Sequence, residues 1–172
     1  MSGANAIYEL IGQACQRTGL AWWLIYGVIE QESGFDPRAE SECGAAGLMQ
    51  LMPASFPEWP PAELFDPAVN VRLGSEFLRE CIGIWKKEAP DEAIKFGLAS
   101  YNGGCGYVLR AQAAAQAAHA DPSLWSAVET HLAAVEVNGK QPDVEQISGY
   151  VRTIWGKYAE RRGMPVPTAV PA

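Results

Sequence analysis

Apolar residues recur at intervals of three and four along almost the whole chain, a period that predicts helices rather than strands. From Ala6 to Arg17, Ile7, Leu10, Ile11 and Ala14 share one face, and Thr18 with Gly19 ends the segment. A second helix is expected to begin near Ala21 and to stop at Gly34, a residue suited to the left-handed position after a helix. At about 100° per residue, Ile25, Val28, Ile29 and Glu32 lie on one side of it, so a carboxylate ends an apolar stripe. Glu30 projects roughly 160° away from Glu32 and is expected to be solvated. Asp36 to Gly47 reads as a glycine-punctuated loop, Leu48 to Pro53 as a compact apolar segment holding one amide, and Phe56 to Phe65 as irregular and proline-rich.

Asp66-Pro67 is a helix start, because Asp caps free N–H groups and Pro fits the first turn. Gly74, Phe77, Leu78, Cys81 and Trp85 supply the buried face of that helix. Pro90-Asp91 opens another, with Ile94, Leu98 and Tyr101 on one face, and Asn102 to Gly106 breaks it. The alanine-rich run Arg110 to Ala120 has high helix propensity. Asp121-Pro122 is expected to open a further helix with Leu124, Val128, Leu132 and Val135 inward. After a loop from Asn138 to Asp143, the last helix carries Ile147, Val151, Ile154 and Tyr158 on its inner face. With no useful strand alternation and no repeat period, the expected fold is all-α, a compact set of about seven or eight helices. One domain over 1–164 is expected, followed by an unfolded proline-rich tail over 165–172.

Composition narrows the function classes. A length of 172 residues, 48% hydrophobic and 19% charged, suits one well-buried core. No apolar run approaches the roughly 20 residues of a spanning helix, so membrane insertion is not expected. A net charge of −7 argues against a nucleic-acid partner, which needs clustered Lys and Arg. Met1 to Leu10 has no basic segment followed by an apolar core, so a standard secretory signal is not expected. Cys15, Cys43, Cys81 and Cys105 lack zinc-site spacing and read foremost as free thiols, with Cys43 and Cys105 the pair best placed to be the exception.

Several familiar sites are missing: there is no G-x-S-x-G elbow, no phosphate-binding G-x-x-x-x-G-K-S/T loop and no H-E-x-x-H. What remains is Glu32, whose burial and position at a helix C-terminus would both raise its pKa, as a general acid requires. The plainer alternative makes it a structural carboxylate that satisfies donors of the following loop. The glycine loop, Gln50 between methionines, and the pair Tyr101-Asn102 offer neutral polar groups of the kind that read sugars. Trp59 is the best candidate for a sugar platform.

Glu32-Ser33-Gly34-Phe35, Ala39-Glu40-Ser41, the run Gly44 to Pro53 and Ala99-Ser100-Tyr101-Asn102-Gly103-Gly104 together resemble the soluble lytic transglycosylases of peptidoglycan. That resemblance implies a lysozyme-like helical fold, related to goose-type lysozymes, over about Ile7 to Tyr158. It implies that Glu32 is the single catalytic carboxylate, cleaving between N-acetylmuramic acid and N-acetylglucosamine with a 1,6-anhydro product. Ser41, Gln50, Met52, Tyr101 and Asn102 match positions lining the sugar groove, and Tyr150 a tyrosine that orients the acid. The resemblance further implies peptidoglycan strands as partner, a monomer, no cofactor and no metal. Action on the cell wall follows; the missing signal points to a phage or prophage lysin or export by a dedicated machine, with an exported bacterial enzyme whose signal was removed as the alternative. The departures are Gln146 where the family often has Glu, Cys105 in place of a usual proline, and Gly103 where the loop usually has Ala. A hydrolytic muramidase and a wall-binding module without activity are the alternative functions.

Overall fold

The computed structural model describes residues 3–167, so residues 168–172 of the expected tail lie outside the described residues. Among the described residues the regular structure is α1 Gly3–Thr18, α2 Trp22–Ser33, α3 Pro67–Gly83, α4 Pro90–Gly103, α5 Cys105–Ala117, α6 Trp125–Val128 and α7 Val144–Arg161. Three 3₁₀ segments accompany them, Pro53–Ser55, Pro61–Phe65 and Glu129–Ala134, and β-pairing among the described residues is limited to isolated bridges. The expectation of an all-α fold holds. By internal packing the chain divides into two compact units, residues 1–76 with 156–172, and residues 77–155, the boundaries falling within α3 and within α7.

In the first unit, Ile7, Ile11 and Ala14 of α1 are buried, as are Leu24, Ile25, Val28 and Ile29 of α2. α2 stops where its sequence says it should: Gly34 has φ 58° and ψ 31° and donates its N–H to Glu30 O. The segment 39–51 then folds back on itself through the bridges Glu40 with Ala46 and Ala46 with Leu51. Asp66 caps α3 as expected, its Oδ1 accepting from Ala68 N at 2.9 Å and Val69 N at 3.0 Å. One turn further on, the fully buried Asn70 clamps the loop. Its Oδ1 accepts from Met49 N at 2.7 Å, and its Nδ2 donates to Ala46 O at 2.8 Å and Leu64 O at 2.7 Å. Gly47, at φ 73°, makes room for that amide, since a Cβ there would stand 2.5 Å from Asn70 Nδ2 and 2.8 Å from Leu64 O.

Glu30 is not solvated in the way its position on the helical wheel suggests. Lys157 Nζ stands 2.9 Å and Arg161 Nη1 3.6 Å from its Oε2, so α7 supplies partners that no local pattern reveals. The Arg161 guanidinium also lies over Trp23 at 5.6 Å and Tyr26 at 5.5 Å. Burial, followed by the neighbouring Tyr8 and Glu30, raises the Tyr26 hydroxyl pKa.

In the second unit, α3 and α4 approach closely because Gly97 has no side chain. A Cβ at Gly97 would stand 2.4 Å from Ile82 Cγ1 and 2.8 Å from Ile82 Cα. Trp85 stacks on Phe96 at 4.8 Å and donates its Nε1–H to Ser100 Oγ at 3.1 Å. The helix expected from Asp121-Pro122 is much shorter than its apolar pattern suggests. Asp121 Oδ1 accepts from Ser123 N at 2.9 Å and Ser123 Oγ at 2.7 Å, which closes a local turn and lowers the carboxyl pKa. The chain enters α6 only at Trp125, whose N–H is met by Glu92 Oε2 at 2.7 Å, and it then tightens into 3₁₀ geometry. Leu124 is accordingly exposed rather than inward, while Val128, Leu132 and Val135 are buried. All four thiols are free. Burial, then the nearby Cys105, pushes the Cys81 pKa up to about 12.

Candidate active site

Glu32 sits in the last turn of α2, half-buried, at the end of the stripe formed by the fully buried Ile25, Val28 and Ile29. The next residue fixes where that turn lies. The Ser33 hydroxyl reaches Leu48 O at 2.9 Å and Ile29 O at 3.2 Å, tying the end of the acid's helix to the loop that follows. Ser33→Ala is therefore expected to cost about 1 kcal/mol in stability, read from a urea midpoint, and an unchanged midpoint would show that the hydroxyl tethers nothing.

Ser41 and Gln50 both brace that loop. Ser41 Oγ accepts from Ala45 N at 3.0 Å, and Ser41 N donates to Ala45 O at 3.0 Å. Gln50 Nε2 donates to Ala39 O and to Gly47 O, each at 3.0 Å. Those bonds hold Gln50 at φ 48°, a left-handed conformation that a non-glycine residue adopts only when its surroundings enforce it. Phe35, directly after the αL glycine, has φ 69° and packs its ring against Tyr26 at 4.8 Å. The segment around Glu32 thus stores strain at two positions, as rigid functional loops do. Met49 is buried against Gly74, whereas Met52 is 40% exposed. Trp59 carries the Arg72 guanidinium 5.0 Å above its ring, so that face of the candidate platform is occupied.

The remaining residues singled out by sequence belong to the second unit. Tyr101 packs against Phe77 at 5.2 Å. Asn102 Oδ1 is buried with no hydrogen-bond partner among the described residues, an arrangement that calls for a donor. Asn102, Tyr107, Gln141 and Gln146 line a cleft of about 200 Å³, over which Gly103 packs closely on Ile147. Gln146 therefore shares a cleft with Asn102, and its backbone N–H is capped by Asp143 Oδ1 at 2.9 Å. Tyr150 is buried within α7. Among the described residues no group of three or more His, Cys, Asp or Glu is arranged to hold a metal. Sequence reasoning missed Asn70 and the tether made by Ser33, because both act through backbone groups distant in sequence.

Chemically, the first unit offers one carboxylate at the edge of an apolar helix face, beside a braced loop with an exposed methionine. The second offers an unpaired acceptor in a neutral, amide-lined cleft. Comparison with known proteins gives a consistent picture. Residues 9–123 match the family model described as the transglycosylase SLT domain. The chain is 38% identical over 124 residues to the membrane-bound lytic murein transglycosylase F of Desulfosudis oleivorans, covering 72% of this chain and 27% of that protein. It is 36% identical over 104 residues to the transglycosylase of Enterobacteria phage PRD1, covering 60% of this chain and 37% of that protein. In fold it matches the 70 kDa soluble lytic transglycosylase of Escherichia coli, with a TM-score of 0.69 at 22% identity over 93% of this chain and 25% of the other. An inactive mutant of the lytic transglycosylase Slt of Pseudomonas aeruginosa gives a TM-score of 0.66 at 22% identity, over 94% of this chain and 25% of that one. The chain spans between a quarter and two-fifths of the length of these proteins.

Proposed function

The chain belongs to the transglycosylase SLT domain family, and from that membership we propose that it cleaves the β-1,4 bond between N-acetylmuramic acid and N-acetylglucosamine in peptidoglycan as a lytic transglycosylase. The observation that carries the proposal is the extent of the family match, which encloses Glu32, the braced loop and the Tyr101-Asn102 corner in one stretch. Glu32 is the catalytic carboxylate. As an acid it gives its proton to the glycosidic oxygen, and the bond from that oxygen to C1 of the muramoyl ring breaks. As a base it then takes the proton of the muramoyl C6 hydroxyl, whose oxygen closes on C1 to form the 1,6-anhydro ring, and Glu32 ends protonated as it began.

Ordinary retaining and inverting glycosidases need two carboxylates flanking the bond. The proposed reaction needs only Glu32, because the muramoyl C6 hydroxyl takes the place of the second group. Ser41 and Gln50 act on the glycan by holding the loop wall, Met52 by offering an apolar surface, Tyr101 and Asn102 by contact with the sugar, and Tyr150 by orienting Glu32. The catalytic domain runs over 1–164 and works as a monomer on glycan strands at the cell wall without a cofactor. The relatives include bacterial lytic transglycosylases as well as a phage transglycosylase, so the reading accommodates both a phage or prophage lysin and a bacterial enzyme exported to the wall. The test is turbidity of purified sacculi: the proposal expects clearance with release of soluble muropeptides. Sugar binding without clearance would instead identify a wall-binding module.

A further inference from the structure

The surface between α1 and the head of α3 carries a feature that the proposed catalysis does not use. A cleft of about 220 Å³ has an apolar floor from Leu10, Ala14 and Val69 and a polar rim from Gln13, Arg17 and Arg72. On a chain with a net charge of −7, two guanidinium groups on one small cleft are a local reversal of sign. Both face the same carboxylate: Arg17 Nε is 3.7 Å from Glu76 Oε1, and Arg72 Nη1 is 3.9 Å from Glu76 Oε2. One carboxylate touching both places the two guanidiniums within reach of a single second anion.

Those ion-pair distances exceed the 2.7–2.9 Å or so of a charge-assisted hydrogen bond. Neither guanidinium donates a hydrogen bond to a described residue, although each has five N–H groups. Arg72 is held from one side by Trp59, 5.0 Å from its ring centroid, and stacking of this kind leaves the in-plane donors of the fork available. Asp66, at the head of α3, is engaged in capping the N–H groups of Ala68 and Val69. The site therefore has guanidinium donors not spent on hydrogen bonds, one of them held by a ring, above a floor suited to a methyl-sized apolar body.

We propose that the cleft formed by Arg17, Arg72, Gln13 and the apolar floor of α1 and α3 binds a carboxylate carried on a short apolar body, as at the C-terminus of an alanyl peptide. The carboxylate accepts from both guanidiniums, the Gln13 amide meets the adjoining peptide group, and the small side chains rest on Leu10, Ala14 and Val69. This goes beyond the proposed cleavage and does not depend on Glu32.

The test is calorimetric or NMR titration of the intact chain with acetyl-alanyl-alanine in its L and D forms, with the matching C-terminal amides, and with inorganic phosphate. The free acid of at least one enantiomer is expected to bind at least about tenfold more tightly than its amide and than phosphate. Arg17→Gln with Arg72→Gln should abolish that preference, and Glu76→Gln, which removes the competing carboxylate, should strengthen binding of the acid. Acid and amide binding alike in both forms would overturn the proposal without altering the Proposed function, as would phosphate binding as tightly as the peptide acid. Because the comparison of acid with amide is made on the unmodified chain, it decides even if a double variant misfolds.

Discussion

Glu32→Gln is expected to lower the rate of muropeptide release from sacculi by about 10²–10⁴-fold, the range over which a positioned acid or base acts. The substitution keeps the shape of the side chain while removing its transferable proton. Glu32 serves both halves of the proposed reaction, so the amide fails to protonate the leaving oxygen and also fails to accept the C6 hydroxyl proton. The fold should be unaffected. Glu32 lies near the negative end of the α2 dipole, where loss of a negative charge relieves an unfavourable interaction. Its melting temperature should match the parent, and sugar binding should persist. Full activity in this variant would remove Glu32 from the mechanism.

The second large effect is on stability. Asn70→Ala should destabilise the protein by about 3–5 kcal/mol, because three buried backbone groups lose their partner at once and each costs about 1–3 kcal/mol when left unsatisfied. Against a usual total of about 5–15 kcal/mol, that is a large share, so the urea midpoint should fall steeply. Asn70→Asp is no rescue: it keeps the acceptor for Met49 N but removes both donors and buries a charge. Gly47→Ala should act on the same clamp, pressing a methyl group against the Asn70 amide at a residue held at φ 73°. A midpoint shift corresponding to less than about 1 kcal/mol for Asn70→Ala would show that the loop is held by something else.

Much of the fold was legible because its punctuation is local. Gly34, Asp66-Pro67 and Pro90 mark their helix ends through chemistry confined to one turn, and the structure places helix boundaries there. Asp121-Pro122 carries the same signature yet fails, since Ser123 supplies a nearer partner for the Asp carboxylate than the helical N–H groups would. Glu30 was misread for a different reason: Lys157 is 127 positions away, and no helical wheel contains it. Of the candidate site, the motif from Glu32 to Asn102 was legible as an ordered set of residue types. What could not be read was the division of labour within it. Ser41 and Gln50 carry polar groups of the kind that contact sugars, but their bonds to Ala45, Ala39 and Gly47 spend those groups on the loop itself. Asn70 left no trace at all, because a polar residue one turn inside an amphipathic helix looks like a solvated one until the tertiary partner is known.

The central claim is that one carboxylate with an internal hydroxyl nucleophile cleaves the glycan. Mass spectrometry of the muropeptides released from purified sacculi tests it most directly, because hydrolysis adds a water that intramolecular ring closure does not. Products ending in 1,6-anhydro-N-acetylmuramic acid, one water lighter than reducing ends, are predicted. Reducing ends carrying that water would contradict the account and make the protein a muramidase.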